Sequence, residues 1–182
     1  VEAQKSGLHE VQLKFAISLN ADDMRRIGAD RHASTVQVDH YYNPKDRNLA
    51  DSDEILRIRE EGSRIFLTYK GPRMPSKFRK RPKFEFEMGA DAKDKFLALY
   101  GDKVRTISKV RDLYYLDGIV FSLDHVAVAD SIGGKVELGV FLEIRLVEKP
   151  KRKQRIKRLL DKLGLDLKDG IKESYFELSA GH

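Results

Sequence analysis

The feature that most constrains this chain is a two-residue rhythm in which charged and apolar side chains alternate over strand-length runs. Glu10, Gln12 and Lys14 interleave with Val11, Leu13 and Phe15. Ile55, Arg57 and Arg59 share one parity and Leu56 and Ile58 the other, while Arg64, Phe66, Thr68 and Lys70 stand opposite Ile65, Leu67 and Tyr69. Lys83, Glu85 and Glu87 alternate with Phe84 and Phe86, and Glu143 and Arg145 sit between Leu142, Ile144 and Leu146. Successive side chains of a strand point to opposite faces, so each run reads as a strand with one charged and one apolar face. A helix bundle would need a period near 3.6 instead, so the pattern selects an antiparallel, β-rich α+β domain.

The punctuation fits that class. Expected strands cover Leu8 to Ile17, Thr35 to Tyr42, Glu54 to Glu60, Arg64 to Lys70, Lys83 to Glu87, Val104 to Leu116, Ile119 to His125 and Val136 to Leu146. A turn at Glu61-Gly62-Ser63 joins one hairpin and Asp117-Gly118 another, the latter a dipeptide suited to positive φ at both positions. Asn20 before Ala21, Asp22 and Asp23 predicts a capped short helix that Gly28 ends. Asp91 to Tyr100 predicts a second helix, and Ile156, Leu159, Leu160 and Leu163, following Pro150, a third. Gly71 to Pro82, rich in Pro, Lys and Arg, reads as a mobile loop. Gly133-Gly134 lacks the strand-turn-helix setting of a phosphate-binding glycine loop.

Composition narrows the setting. The 182 residues fit one domain spanning 1–182. Cysteine is absent, which removes disulfide frameworks, thiolate metal sites and a Cys nucleophile, and matches the expectation of a cytoplasmic protein. Val1 to Phe15 carries Lys5, His9, Glu10 and Lys14 and reads as neither a signal peptide nor a membrane span, and no later apolar run is long enough. The excess of 35 basic over 29 acidic residues, net +6, suits a polyanionic partner without choosing one. Lys151, Arg152, Lys153, Arg155, Lys157 and Arg158 read as the solvated face of the third helix rather than a nucleic-acid arm.

The charges are sorted by strand: cations at Arg57, Arg59, Lys70, Lys109 and Arg111, carboxylates at Glu10, Glu85, Glu87 and Glu143. If about eight such strands close into a barrel, one set of faces points into a polar lumen, and helices cover the other to bury Val11, Leu13, Phe84, Phe86, Leu142 and Ile144. Buried charges are costly unless paired, so a lumen lined with cations calls for a multiply charged anion, and a triphosphate meets that demand. Carboxylates beside it would hold a divalent cation bridging phosphate oxygens.

The same residues carry a resemblance. Glu10-x-Gln12-x-Lys14 is similar to the E-x-E-x-K strand that opens the CYTH superfamily. Asp39-His40-Tyr41-Tyr42, Leu56-Arg57-Ile58-Arg59, Thr68-Tyr69-Lys70-Gly71-Pro72, Lys109-Val110-Arg111, Ser122-Leu123-Asp124 and Phe141-Leu142-Glu143-Ile144 resemble its later signatures in order. Ser174-Tyr175 resembles a C-terminal motif of the class IV adenylyl cyclase branch. The resemblance implies a triphosphate tunnel in which Lys14, Arg57, Arg59, Lys70, Lys83, Lys109 and Arg111 clamp phosphates. It implies a Mg2+ or Mn2+ site drawn from Glu10, Gln12, Glu85, Glu87, Asp124 and Glu143. ATP or another triphosphate is the implied partner, a homodimer is a possible assembly, and neither nucleic acid nor membrane is expected.

The chain departs from the family pattern at Gln12 and Arg145, each standing where the family places a glutamate, and the histidine-phenylalanine pair of some cyclases is replaced by Ser6-Gly7-Leu8-His9. Arg145 cannot coordinate a metal. Three functions therefore stay open: cyclisation of ATP to cyclic AMP and pyrophosphate, hydrolysis of thiamine or inorganic triphosphate, and triphosphate or polyphosphate binding without turnover. Tyr41 and Tyr42 read as core or rim aromatics, and His40 and His125 as incidental.

Overall fold

A computed structural model describes residues 10–75, 81–100, 102–129, 133–147 and 152–181. Eight strands form one antiparallel sheet: β1 (Glu10–Ala16), β2 (Asp30–Asn43), β3 (Ile55–Glu61), β4 (Arg64–Lys70), β5 (Lys83–Met88), β6 (Asp102–Leu116), β7 (Ile119–Ala129) and β8 (Lys135–Val147). They lie in the order β1-β8-β7-β6-β2-β3-β4-β5. Four helices accompany them: α1 (Ala21–Arg26), α2 (Ala90–Tyr100), α3 (Arg152–Leu163) and α4 (Tyr175–Leu178). The α+β class and the eight antiparallel strands are those the alternation predicts.

Local chemistry sets the boundaries. Asn20 accepts from Asp22 N at 2.8 Å while Asp23 accepts from Asn20 N at 2.9 Å, a reciprocal cap for α1, and Gly28 at φ +84 turns the chain out of it. Asp117 and Gly118, at φ 50 and 74, make the tight turn that sets Leu116 opposite Ile119. β2 starts five residues before its expected start at Thr35, because the long partner β6 supplies a ladder to the polar stretch Asp30 to Ser34. Such pairing across the sheet is not written in local propensity.

The outer face is covered as anticipated over half of the sheet. Ile156, Leu159, Leu160 and Leu163 of α3 and Met24 of α1 pack on Leu13, Phe15, Phe121, Leu142 and Ile144. On the far side α2 lays Phe96 and Leu97 against the cluster of Tyr42, Ile58 and Leu67. Phe84 and Phe86 do not join either cluster and are 67% and 54% exposed, contrary to the expectation that a helix buries them. Their strand β5 ends the sheet, and of its residues on that face only Met88 joins the cluster beneath α2. The side chains of Val11, Leu146, Arg152, Lys153 and Arg155, the residues Lys151, Lys149 and Pro150, and part of the Gly71–Pro82 loop lie outside the described set.

Two strands, β1 and β5, are edges: among the described residues the ladder does not close between them. Alternation dictates which side chains share a face and carries no information about which edges meet, so closure was not fixed by the pattern that suggested it. The sheet nevertheless wraps far enough to enclose its own inner face. Lys14, Asp39, Lys109 and Asp124 lie on the face opposite α1, α2 and α3 and are at most 2% exposed.

The α3 contact predicts a clean separation of stability from site chemistry. Leu160→Ala removes a side chain that is 1% exposed from the outer core and is expected to cost about 2–5 kcal/mol in urea unfolding, with anion affinity of the folded protein unchanged.

Candidate functional site

The inner face is assembled row by row across the ladder. Register places Asp39 of β2 beside Arg59 of β3, Tyr41 beside Arg57, and Gln37 between Glu61 and Lys109 of β6. Arg111 stands between Thr35 of β2 and Asp124 of β7, and Lys14 of β1 faces Glu143 of β8. Because every second residue of each strand points inward, side chains remote in sequence meet in one polar band.

Asp39 is the hub of that band. Its Oδ1 accepts from Arg59 Nε at 2.6 Å, and its Oδ2 from Arg59 Nη2 at 2.9 Å and Lys109 Nζ at 2.7 Å, with Arg57 Nη1 at 3.4 Å. Burial opposes ionisation of this carboxyl, but the Arg57, Lys109 and Arg59 charges overcome it and hold it well below the usual carboxylate range. Three cations share this carboxylate, of which Arg57 also reaches Glu85 Oε2 at 3.2 Å. Lys109 registers the imbalance: burial, with the neighbouring Arg59, Arg111 and Arg57 charges, outweighs Asp39 and lowers its ammonium to about 8.

A second knot lies across the face. Arg111 forks onto Asp124, Nε to Oδ1 at 2.7 Å and Nη2 to Oδ2 at 2.5 Å, and also reaches Glu143 Oε2 at 2.8 Å. Gln12 Nε2 donates to that same Glu143 oxygen at 2.8 Å. Lys14 Nζ lies 4.0 Å from Glu143 Oε1 and donates to the Glu173 carbonyl at 2.7 Å. Toward the β5 edge, Arg57 Nη2 donates to Thr68 Oγ1 at 2.9 Å, and Thr68 Oγ1 to Glu85 Oε2 at 2.8 Å. Burial works against the Glu85 charge, but Lys83 at 3.0 Å, the Thr68 hydroxyl and Arg57 carry its carboxyl down to about 2.

One end of the band is stopped by the C-terminal segment. Tyr175 of α4 packs on Phe141 with ring centroids 5.1 Å apart, and Phe176 on Tyr41 at 4.9 Å. The Tyr175 hydroxyl donates to Asp124 Oδ2 at 2.7 Å, and the Lys14 ammonium sits 3.9 Å from the ring centroid. Tyr41 and Tyr42 are core aromatics, and His40 faces Thr106 Oγ1 at 3.0 Å on the outer side.

Of the predicted phosphate ligands, Lys14, Arg57, Arg59, Lys109 and Arg111 are brought together, whereas Lys70 and Lys83 stand opposite one another at the β4–β5 margin. Of the predicted metal ligands, Asp124, Glu143, Gln12 and Glu85 are on the inner face but engaged by cations and hydroxyls, and Glu87 is paired at the rim with Arg64 at 2.8 Å. The side chain of Glu10 lies outside the described set. Among the described residues no three His, Asp or Glu groups converge as a metal would need. The described donors do not fit a resident Mg2+ or Mn2+. Asp39, Thr68, Gln37 and Tyr175 were not assigned site roles from sequence. Their polarity within apolar or aromatic runs was the available signal, and only the register reveals their partners.

Removing the hub charge while leaving three cations around it has a defined cost. Asp39→Asn is expected to lower unfolding free energy by about 3–5 kcal/mol in urea titration, and tripolyphosphate is expected to restore part of the loss.

Comparison with known proteins agrees with this geometry. The chain is 30% identical over 179 residues to "Putative adenylate cyclase MJ0240" of Methanocaldococcus jannaschii, covering 93% of this chain and 97% of that protein. It superposes on the PH1819 protein of Pyrococcus horikoshii OT3 with a TM-score of 0.73, at 29% identity, over 93% of this chain and 97% of the other. The fold is also that of HpAC1 from Hippeastrum, with a TM-score of 0.61 at 14% identity, over 87% and 88% of the two chains; that protein is described as a putative adenylyl cyclase with a dominant triphosphatase activity. The family model for the CYTH domain matches residues 8–175, nearly the whole inner face and the helices around it, and the chain belongs to the CYTH family.

Proposed function

We propose that the inner face binds the phosphate chain of ATP or another triphosphate and carries out phosphoryl transfer on it. The observation that supports this reading is the crowding of Arg57, Arg59 and Lys109 on the single carboxylate of Asp39. Those cations are preorganised, dry and undercompensated, the condition in which a multiply charged anion gains most from charge-assisted hydrogen bonds. Arg57 Nε adds a buried donor that has no partner among the described residues, and a phosphate oxygen would satisfy it. Arg111 and Lys14 extend the row across β6 and β1.

The first enzymatic assignment follows the cyclase-named relative: the ribose 3′-hydroxyl attacks the α-phosphorus and pyrophosphate leaves. The chain's cations orient the phosphates in line and stabilise charge that builds on the leaving oxygens. Attack by water on a terminal phosphorus would use the same clamp. Enzymes of this family generally depend on divalent metals. On this reading Mg2+ or Mn2+ enters on the triphosphate's own oxygens, as part of the substrate. Binding without turnover is favoured by one observation: Gln12, in place of the family's glutamate, donates to Glu143 instead of opening a metal position.

The test is ³¹P NMR of the protein with ATP, thiamine triphosphate and tripolyphosphate, each with Mg2+ or Mn2+, beside an Arg57→Ala/Arg59→Ala control. Cyclic AMP with pyrophosphate marks a cyclase and orthophosphate a triphosphatase, in each case lost in the control. Shifted phosphate resonances without products leave a binding protein, and unshifted resonances throughout overturn the proposal.

Lys109 supplies a pH signature. An incoming anion favours its charged form, so binding near pH 8 is expected to take up about half a proton, and affinity to fall as pH rises beyond that. Calorimetry in buffers of different ionisation enthalpy measures the uptake, which Lys109→Arg is expected to abolish.

A further inference from the structure

Beside the cations, the inner face carries a polar atom that no phosphate can satisfy, with a hydroxyl near it. Gln37, 5% exposed, donates from Nε2 to Glu61 Oε2 at 2.6 Å, which fixes the orientation of its amide. Its Oε1 is buried and has no hydrogen-bond partner among the described residues. Two positions earlier on the same strand and the same face, Thr35 Oγ1 is also buried and without one. A carbonyl oxygen accepts and cannot donate, and a phosphate oxygen of an ionised triphosphate only accepts, so Gln37 Oε1 is a poor neighbour for phosphate. It asks for a donor.

The register places this acceptor next to the clamp. Gln37 pairs across the ladder with Lys109, and Thr35 with Arg111, while Asp39 with its three cations lies two residues further along β2. Beyond Asp39, Tyr41 meets the α4 side chains that stop the band, whereas on the other side of Asp39 along β2 the inner face continues to Gln37 and Thr35. From these observations we infer that Gln37 and Thr35 form a hydroxyl-binding subsite for the organic part of the triphosphate. Gln37 accepts a hydrogen bond from a sugar hydroxyl and Thr35 exchanges one with the same or the neighbouring hydroxyl. The ligand class is a ribonucleoside triphosphate, and Gln37 is a specificity residue that separates it from inorganic triphosphate. The inference rests on the proposed triphosphate site and deepens it.

Its test compares dissociation constants of ATP, 2′-deoxy-ATP, 3′-deoxy-ATP and tripolyphosphate by calorimetry, for the unaltered protein and for Gln37→Met. In the unaltered protein, at least one deoxy analogue is expected to bind about tenfold more weakly than ATP, since it leaves the buried acceptor unmet. In Gln37→Met, ATP is expected to weaken to the level of that analogue while tripolyphosphate stays within about twofold. If both deoxy analogues match ATP in the unaltered protein, or if Gln37→Met weakens ATP and tripolyphosphate alike, the subsite does not exist, although the triphosphate site stands. If neither ATP nor tripolyphosphate binds, both readings fall. The analogue series needs no variant, so a folding defect in Gln37→Met cannot shelter the inference.

Discussion

One buried carboxylate, Asp39, makes the rest of the inner face possible. An arginine or lysine taken from water into a protein interior is costly unless paired, and this chain buries four, Lys14, Arg57, Lys109 and Arg111, on one face. Asp39 makes that tolerable for Arg57, Arg59 and Lys109 together, and it can do so only because β2 runs between β3 and β6, bringing cations from both sides. Asp124 and Glu143 do the same for Arg111. Around Asp39 the cations outnumber the carboxylates, with Arg59, Lys109 and Arg57 meeting Asp39 and Arg57 shared with Glu85, while burial, joined by the neighbouring Arg59, Arg111 and Arg57 charges, lowers the Lys109 ammonium. A face balanced for stability alone would have no use for that excess. One that receives a polyanion would, as the anion completes the pairing.

The same network ties the chain's C-terminal part to the site. Lys14 offers its ammonium to the Glu173 carbonyl and its backbone oxygen to Ile171 N at 2.7 Å, while Tyr175 reaches Asp124, already the partner of Arg111. Arg73 holds Glu177 at 2.6 Å, and Arg105 donates to the Ser179 carbonyl. Residues of five strands, β1, β2, β6, β7 and β8, thus meet one short segment whose only α-helix has four residues. So small a helix has no independent stability, and its position is the sum of these contacts. The segment serves as one wall of the site because site residues hold it.

Much of this was legible in the sequence, and the boundary of legibility has a physical cause. A two-residue period is local, so parity alone could place Lys14, the pair Arg57 and Arg59, and the pair Lys109 and Arg111 each on the charged face of its own strand. The cap at Asn20, the Asp117-Gly118 turn and the apolar stripe of α3 are local as well. What parity could not provide was register. Asp39 opens a stretch that resembles a family signature, but nothing in its aromatic, β-branched run gave it a role, and its three partners are 18, 20 and 70 residues away. Parity was equally silent on the carboxylates: Asp124, Glu143 and Glu85 have the chemistry and parity expected of them, and the neighbours that the ladder gives them are cations and hydroxyls. Phe84 and Phe86 carry the same lesson, since being on the apolar face buries a side chain only if something covers that face.

The departures at Gln12 and Arg145 acquire a meaning only in the paired strands. They stand directly opposite each other, Gln12 on β1 and Arg145 on β8, one step along from Lys14 and Glu143. A pair of glutamates there would have placed two more carboxylates beside Glu143, a concentration of negative charge that like-charge repulsion tolerates only with a cation between. With an amide and a guanidinium in their place, Glu143 instead accepts from Gln12 and Arg111. The two replacements are therefore mutually consistent: each alone would leave a glutamate facing a partner that no longer shares its metal. Together they leave Glu143, on the β1–β8 wall, engaged by side chains of the protein itself.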